Sequence, residues 1–435
     1  MNLHELKTKV PEDVLWVLEQ LQAAGYEAYF VGGCVRDMIL KRAPQDYDIA
    51  AAALPEEIAG IFPDTRSVGA AFGTVTVLHR GWSVEVTSMR SESDYRDGRR
   101  PGHVDFSASI FTDLQRRDFS VNAMAFDGGI LFDLFHGLTD IHTRVIRTVG
   151  RPEERFREDG LRLIRAVRMA CKLGFRIHHR TLQEIMRNAV MIHSVAKERI
   201  GKELADILIS SFPDKGAHLL GCTGLAHQLG FSPADDSLSP GIQYWQPLSR
   251  LPPDTAVRLA MWYVLIMGED RIISHGTIKD AADDFTRLLG EYTFPRKVRE
   301  RVKKLLLELE HFPYQNSERI RRMLHRLGKK DPEFICAYLV EAGCFLGYNS
   351  AEVIGWCDQI RYTLEHNECI SIQELAVNGQ ELLEMGVPSG PQMTKILNFL
   401  LECVLVEPEK NTKDYLQRLA QNWVENCCGT DSAEY

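Results

Sequence analysis

The sequence has no apolar stretch long enough to cross a bilayer. The longest uninterrupted run in its 435 residues, Leu259 to Met267, is nine residues, less than half of the roughly 20 that a spanning helix needs. An apolar leader is missing too: the opening stretch MNLHELKTKVPEDV carries charged residues throughout, unlike the apolar segment of a secretory signal, so a cytoplasmic protein is expected. No C-x-x-C occurs among the ten cysteines, which points to reduced, structural thiols over a disulfide frame or a zinc site. No His-Asp dipeptide, fixed-period repeat or low-complexity tract is found, which argues against an appended phosphohydrolase of that signature and against a solenoid. Excess positive charge is also absent. At a net charge of −9, nucleic-acid binding has to rely on local patches.

What is present is an ordinary globular composition, 45% hydrophobic and 26% charged, in a chain long enough for about three domains. The two halves differ. From Tyr26 to Thr148 short β-branched runs (YEAYFVGG, YDIAAA, GTVTVLHR, SVEVTSM, VIRTVG) are punctuated by glycines, a mixed α/β pattern. From Pro152 onward apolar residues recur at helical spacing and β-rich runs nearly vanish. Phe231 to Thr255 gathers prolines and small polar residues and reads as a long connection. HFPYQNS, His311 to Ser317, interrupts two basic helical stretches.

Three features of the first half carry chemistry. Val31-Gly32-Gly33-Cys34-Val35-Arg36-Asp37 ends a β-run in two glycines and opens a helix. Glycines there let backbone N–H groups approach phosphate oxygens, and a helix N-terminus adds positive potential, although a Gly-Gly turn alone is more often only a turn. In Asp46-Tyr47-Asp48-Ile49, alternate strand residues face one side, so Asp46 and Asp48 project together. Their repulsion is offset by a metal ion; the plainer alternative is a solvated strand end. Glu85, in another β-run, can supply a third carboxylate. The third feature is Arg116-Arg117-Asp118-Phe119-Ser120-Val121-Asn122. Adjacent arginines fit a solvated face in most proteins, yet the planar guanidinium suits phosphate and a neighbouring aspartate fixes its orientation. Together the three describe magnesium-assisted chemistry on a nucleoside triphosphate.

GG-x-VRD, D-x-D, RRDFSVNAMAFD, IRTVG and EDGLRLIRAVRMACKLGF together resemble the bacterial class II tRNA nucleotidyltransferases, the CCA-adding enzyme and poly(A) polymerase family. The resemblance is dense from about Tyr26 to Ile207. It returns at Glu374-Leu375-Ala376-Val377-Asn378-Gly379 and Pro388-Ser389-Gly390-Pro391. It implies an α+β head domain of polymerase-β nucleotidyltransferase type, a mixed sheet with helices, followed by all-α neck, body and tail domains in an elongated seahorse shape. The implied division is a head over 1–144, a base-recognising neck over 145–207, a helical body over 208–312 and a tRNA-binding tail over 313–435. Residue by residue, the resemblance implies Asp46 and Asp48 as catalytic acids and Mg2+ ligands, with Gly33, Arg36 and Arg117 around the triphosphate. It sets Asp159 and Arg162 against the incoming base, with Arg165 and Arg168 nearby on the same helix. The implied partners are tRNA, CTP and ATP, with no membrane and either a monomer or a homodimer. Leu134-Phe135-His136-Gly137 departs from the Pro-Phe-Gly-Gly of many members.

Residues three apart on a helix are neighbours, so Asp159 and Arg162 can set an acceptor beside a fork of donors; alternatively they form an ordinary intrahelical ion pair. Cytosine and adenine each show an amino donor beside an acceptor nitrogen, whereas uracil and guanine show carbonyls beside N–H groups. A carboxylate beside a guanidinium therefore fits C and A without a nucleic-acid template. The expected activity is template-independent addition of CCA to the tRNA 3′ end. Alternatives are a partial enzyme adding only A or only CC, a poly(A) polymerase, or a noncatalytic RNA-binding protein. Val68-Gly69-Ala70-Ala71-Phe72-Gly73 lacks the basic pair typical of the polymerase, and Ser91 to Pro101 reads as a full-length mobile lever. Arg296–Lys304 and Arg319–Lys330 are either RNA contacts or solvated faces, and His178, His179 and Trp262 read as structural.

Overall fold

A computed structural model describes residues 6–66, 73–93, 103–105, 109–231, 241–268 and 278–428; the stretch from Val68 to Phe72 and most of the expected lever lie outside them. The described chain forms two compact units, one reaching to 231 with 241–243, the other spanning 244–428.

The first unit opens with the helix Glu12–Ala23, whose buried Val14, Val17, Leu18 and Leu21 recur at three- and four-residue spacing and make one apolar face. The strands are β1 (Ala28–Val31), β2 (Asp48–Ala51), β3 (Thr65–Arg66), β4 (Thr74–His79), β5 (Trp82–Ser88), β6 (Ser91–Ser93), β7 (His103–Asp105), β8 (Ala125–Phe126) and β9 (Leu131–Phe132). Seven of them form one sheet in the order β3-β4-β5-β2-β1-β8-β9, and β6 pairs with β7 separately. Only β2 and β5 run parallel within the large sheet, so it is mixed, as expected. Alternation explains its core: Val75 and Val77 of β4 pair in register with Val86 and Val84 of β5, and all four are buried on one face. The same register sets Asp48 opposite Val31 on one side and Glu85 on the other.

Beyond Ile146 the described chain is almost wholly helical. The helix Leu161–Leu173 buries Leu163, Ile164, Val167 and Ala170 against the helices Lys197–Ile209 and Pro213–Cys222.

The second unit is built from helices around Thr255–Met267, with Trp262 buried. The expected connection from Phe231 to Thr255 is more ordered over its described part: Trp245 is buried at the end of a short 3-10 turn and Pro247 starts a helical turn. Proline suits a first helical position because that N–H has no intrahelical acceptor. HFPYQNS interrupts the helices but is itself packed, Phe312 and Tyr314 lying 5.1 and 5.4 Å from the Trp356 ring. Cys34, Cys171, Cys222, Cys336, Cys344, Cys357, Cys369 and Cys403 are unbridged, and among the described residues no helix is long and apolar enough to cross a membrane.

Candidate active site

Asp48 opens β2. Burial, with Glu85 and Asp46 nearby, pushes its carboxyl up to about 6 against the opposing pull of Arg117. Asp46 lies before the strand, which begins only at Asp48, and is exposed; Glu85 is exposed as well. Among the described residues no three His, Cys, Asp or Glu side chains come together as a metal-holding group; Glu85 is the register partner of Asp48 on β5. Its effect on Asp48 is electrostatic. A hard divalent cation nevertheless fits Asp46 and Asp48, because the donors are all oxygen and positive charge relieves the repulsion that raises the Asp48 pKa.

Gly32 turns the chain after β1 with φ +75°, a conformation that side chains penalise. A Cβ there would lie 2.9 Å from Nη1 of Arg117 and 3.9 Å from Oδ2 of Asp48. Glycine thus lets a guanidinium and a carboxylate close in on the same turn. Gly32→Ala should displace Arg117 and strain the turn, raising KM for nucleotide about tenfold or more, since a charge-assisted phosphate contact contributes roughly 1.5–3 kcal/mol. Steady-state kinetics check this; an unchanged KM would separate Arg117 from the nucleotide. Gly33 starts the helix Gly33–Ile39, and a Cβ on it would meet only Arg36 Nη2 at 3.5 Å, so internal packing does not demand glycine there.

Arg117 is oriented by Asp113, whose Oδ2 accepts from Nε and Nη2 at 3.2 and 3.0 Å, while Arg116 uses Oδ1. Burial alone would push the Asp113 carboxyl up, but the two guanidinium groups hold it below its ordinary value. Arg36, expected around the triphosphate, is buried in the wall of the turn. It grips Asp37 through Nε and Nη2 at 2.9 Å each and donates from Nη1 to Asn122. Asn122 donates onward to Asp118 at 3.3 Å, and Asp118 pairs with Arg165 at 3.1 Å. The Asp118 carboxyl, which burial would raise, is held low by Arg165 and Arg162. A continuous polar chain therefore ties the glycine turn to the Arg-Arg-Asp segment and to the helix Leu161–Leu173.

Asp159 and Arg162 are not on one helix. Pro152–Glu158 ends at Asp159, with φ −148° and ψ 108°, and Leu161–Leu173 begins after Gly160. A Cβ on Gly160 would lie 2.8 Å from the Met191 carbonyl oxygen, so the break is closely packed. Asp159 accepts from Leu161 N–H at 3.0 Å and from Arg199 at 2.8 Å. Arg162 is largely buried and donates to Glu158 at 2.5 Å and to the carbonyls of Arg155 and Arg116 at 3.1 Å each. The alternative of an intrahelical ion pair is replaced by two separately held side chains, and Arg168 is engaged by Glu203. Asp113, Asn122, Glu158 and Arg199 were not assigned roles from the sequence. Asp113 is traceable to its spacing of three and four from the two arginines, whereas Arg199 is 40 positions from Asp159 and leaves no local trace.

A mixed sheet that brings an Asp-x-Asp element beside a Gly-Gly turn and a phosphate-type arginine is a nucleotidyltransferase head, and residues 28–147 match the model described as Poly A polymerase head domain. Residues 174–232 match the model described as Probable RNA and SrmB-binding site of polymerase A, and 277–420 match the model described as tRNA nucleotidyltransferase domain 2 putative. The CCA-adding enzyme of Geobacillus stearothermophilus is 34% identical over 411 residues, covering 93% of this chain and 95% of that one. That of Pediococcus pentosaceus is 33% identical, with 92% and 95% covered. The chain belongs to the CCA-adding enzyme family. Among solved structures, the Bacillus stearothermophilus CCA-adding enzyme in complex with CTP superposes with a TM-score of 0.76 at 30% identity, covering 96% of this chain and 98% of that one. The Thermotoga maritima CCA-adding enzyme complexed with tRNA_CCA shares the fold, with a TM-score of 0.64 at 18% identity and 98% and 99% covered.

Proposed function

We propose that this protein builds or repairs the 3′-terminal CCA of tRNA from CTP and ATP without a nucleic-acid template. The observation that carries the reading is the approach of the Asp48 carboxylate and Arg117 Nη1 to the Gly32 turn in a chain of this family. The CTP complex of the Bacillus stearothermophilus relative supports the nucleotide half.

In this mechanism the RNA 3′-oxygen forms a bond to the α-phosphorus in line with the bond that breaks, and pyrophosphate leaves. Asp46 and Asp48 would hold Mg2+, which when bound lowers the pKa of the 3′-hydroxyl and offsets charge on the α-phosphate. Arg117, pre-aimed by Asp113, holds phosphate, while the open face of Gly33 leaves room for a phosphate oxygen near the backbone. Arg36 acts by fixing the turn through Asp37 and Asn122. Asp159 and Arg162 present an acceptor and donors to the pairing edge of C or A. Arg165 and Arg168 position this helix through Asp118 and Glu203. The division into head 1–144, neck 145–207, body 208–312 and tail 313–435 assigns chemistry, base reading, scaffold and tRNA binding in that order. A tRNA substrate supports a cytoplasmic place of action.

Incubation of tRNA lacking its CCA with each labelled nucleoside triphosphate should show transfer from CTP, rejection of UTP and GTP, and loss of transfer on chelation with EDTA. Long A tails on unstructured RNA would instead make it a poly(A) polymerase. The Asp48 pKa gives a further expectation. As pH falls through about 6, Asp48 gains a proton that competes with the cation, so the rate at limiting Mg2+ should fall about tenfold per pH unit below that point and level off above about pH 7. Glu85→Gln should move the break downward, because the Glu85 charge helps to hold the pKa up. A profile with no break above about pH 4.5 in either protein would contradict the assignment.

A further inference from the structure

Most of the positive charge in the two basic stretches of the second unit is already engaged within the fold. Arg296–Lys304 and Arg319–Lys330 contain twelve lysines and arginines. Seven pair with carboxylates: Arg296 with Glu300, Arg301 with Asp254, Lys303 with Asp283, Arg321 with Glu368, Arg322 with Glu318, Arg326 with Glu308 and Lys329 with Glu374. Arg299 and Arg319 donate to the carbonyls of Phe294 and Pro313. The other three, Lys297, Lys304 and Lys330, likewise have no carboxylate partner among the described residues, and they differ from Arg299 and Arg319 in lining one cavity of about 450 Å³ together. Lys304 donates to the Arg326 carbonyl at 2.7 Å, which leaves its charge uncompensated. The carboxylates at the cavity wall are taken, Asp254 by Arg301 and Glu300 by Arg296.

The shape of this site narrows its ligand. Lys297 and Lys304 lie seven positions apart on the helix Arg296–Leu307, about 10 Å along its axis, a span that suits separate phosphates of a strand better than a single phosphate. The floor between them is apolar, formed by Leu305, Leu327 and Ile335. No aromatic ring, asparagine or glutamine lines the cavity, so it offers nothing to stack a base on or to read its edge. A free nucleoside triphosphate would lack the contacts that distinguish it, whereas a sugar-phosphate backbone needs only cations and an apolar rest for ribose.

We infer that this cavity seats the backbone of an RNA strand, with phosphates on Lys297, Lys304 and Lys330 and a ribose over Leu305, Leu327 and Ile335. The inference rests on the tRNA-modifying reading above and assigns part of its RNA grip to these three lysines. All three are exposed, so charge reversal leaves the packing intact.

The experiment uses the full-length protein carrying Lys297→Glu, Lys304→Glu and Lys330→Glu together. Its comparisons are the same three positions changed to Arg and a control with Lys172, Lys279 and Lys395 changed to Glu. Binding of a tRNA lacking CCA is measured across a salt series, and nucleotide addition is measured at limiting and saturating tRNA. The cavity triple should weaken tRNA binding at least tenfold at low salt and reduce the slope of log K against log salt by about 2. KM for tRNA should rise, while KM for CTP and kcat at saturating tRNA stay within about twofold of wild type. The arginine triple should bind like wild type, and the control should lose far less than the cavity triple. An unchanged salt slope, a rise in KM for CTP in place of tRNA, or an equal loss in the control would overturn the inference. Failure of the underlying reading is separate, because it would appear in the wild-type protein as no nucleotide addition at all.

Discussion

Asp48→Asn and Asp46→Ala should each abolish nucleotide addition, by roughly 10³-fold or more, while tRNA affinity stays within a few-fold of wild type. The two carboxylates would serve a cation and the reacting phosphate, so their loss removes transition-state stabilisation without removing RNA contacts. Asp48 adds an independent signature. Its pKa in the folded protein is raised to about 6, so the ionised carboxylate disfavours the cation-free fold. That cost is absent below the ordinary carboxylate pKa of about 3.9 and complete once pH has risen past the folded value. Asp48→Asn should therefore raise the melting temperature of the cation-free protein at pH 7.5 and leave it nearly unchanged near pH 4. A dead enzyme that is more stable than wild type is the pattern of a group kept for chemistry at the expense of the fold. Thermal melts with EDTA at the two pH values test this; near-wild-type activity in either variant would remove the acids from the mechanism.

Asp159→Ala should loosen discrimination among the four nucleoside triphosphates. A half-buried acceptor that matches the amino groups of C and A rejects U and G by leaving their carbonyls unpartnered, and one lost match corresponds to about 1–3 kcal/mol, or roughly tenfold to hundredfold in relative kcat/KM. Arg199→Ala should act in the same direction but less strongly, because it removes only the group that holds Asp159 at 2.8 Å. The ratio of kcat/KM for CTP to that for UTP is the measurement. Unchanged ratios in Asp159→Ala, with activity toward CTP retained, would reduce Asp159 to a helix-terminating residue.

How much of this was legible in the sequence depended on distance along the chain. The glycine turn, Asp46 and Asp48, and the Arg-Arg-Asp segment stand out because each is contiguous and its chemistry is carried by neighbouring residues. The β-branched runs of the first half and the helical spacing of the second likewise report local backbone preference. Asp159 and Arg162 look like an i,i+3 pair only if one helix runs through them; Gly160 breaks it, and the partners that replace the pair include Arg199, brought in by tertiary packing. The hydrogen bond from Arg36 to Asn122, 86 positions away, leaves no mark in sequence. The two basic stretches are alike in composition, and only the fold separates the arginines and lysines bound to carboxylates from Lys297, Lys304 and Lys330.

Three tRNAs, ending at the discriminator base, at C and at CC, incubated with purified protein and CTP, ATP or both, give the most direct measurement. With both nucleotides they should grow by three, two and one residues respectively and stop. With CTP alone the first two should halt at CC, and with ATP alone only the CC-ending tRNA should be extended efficiently. Growth of the first tRNA by two and never three with ATP present, extension confined to the CC-ending tRNA, or open-ended A tails would each contradict CCA addition by this protein.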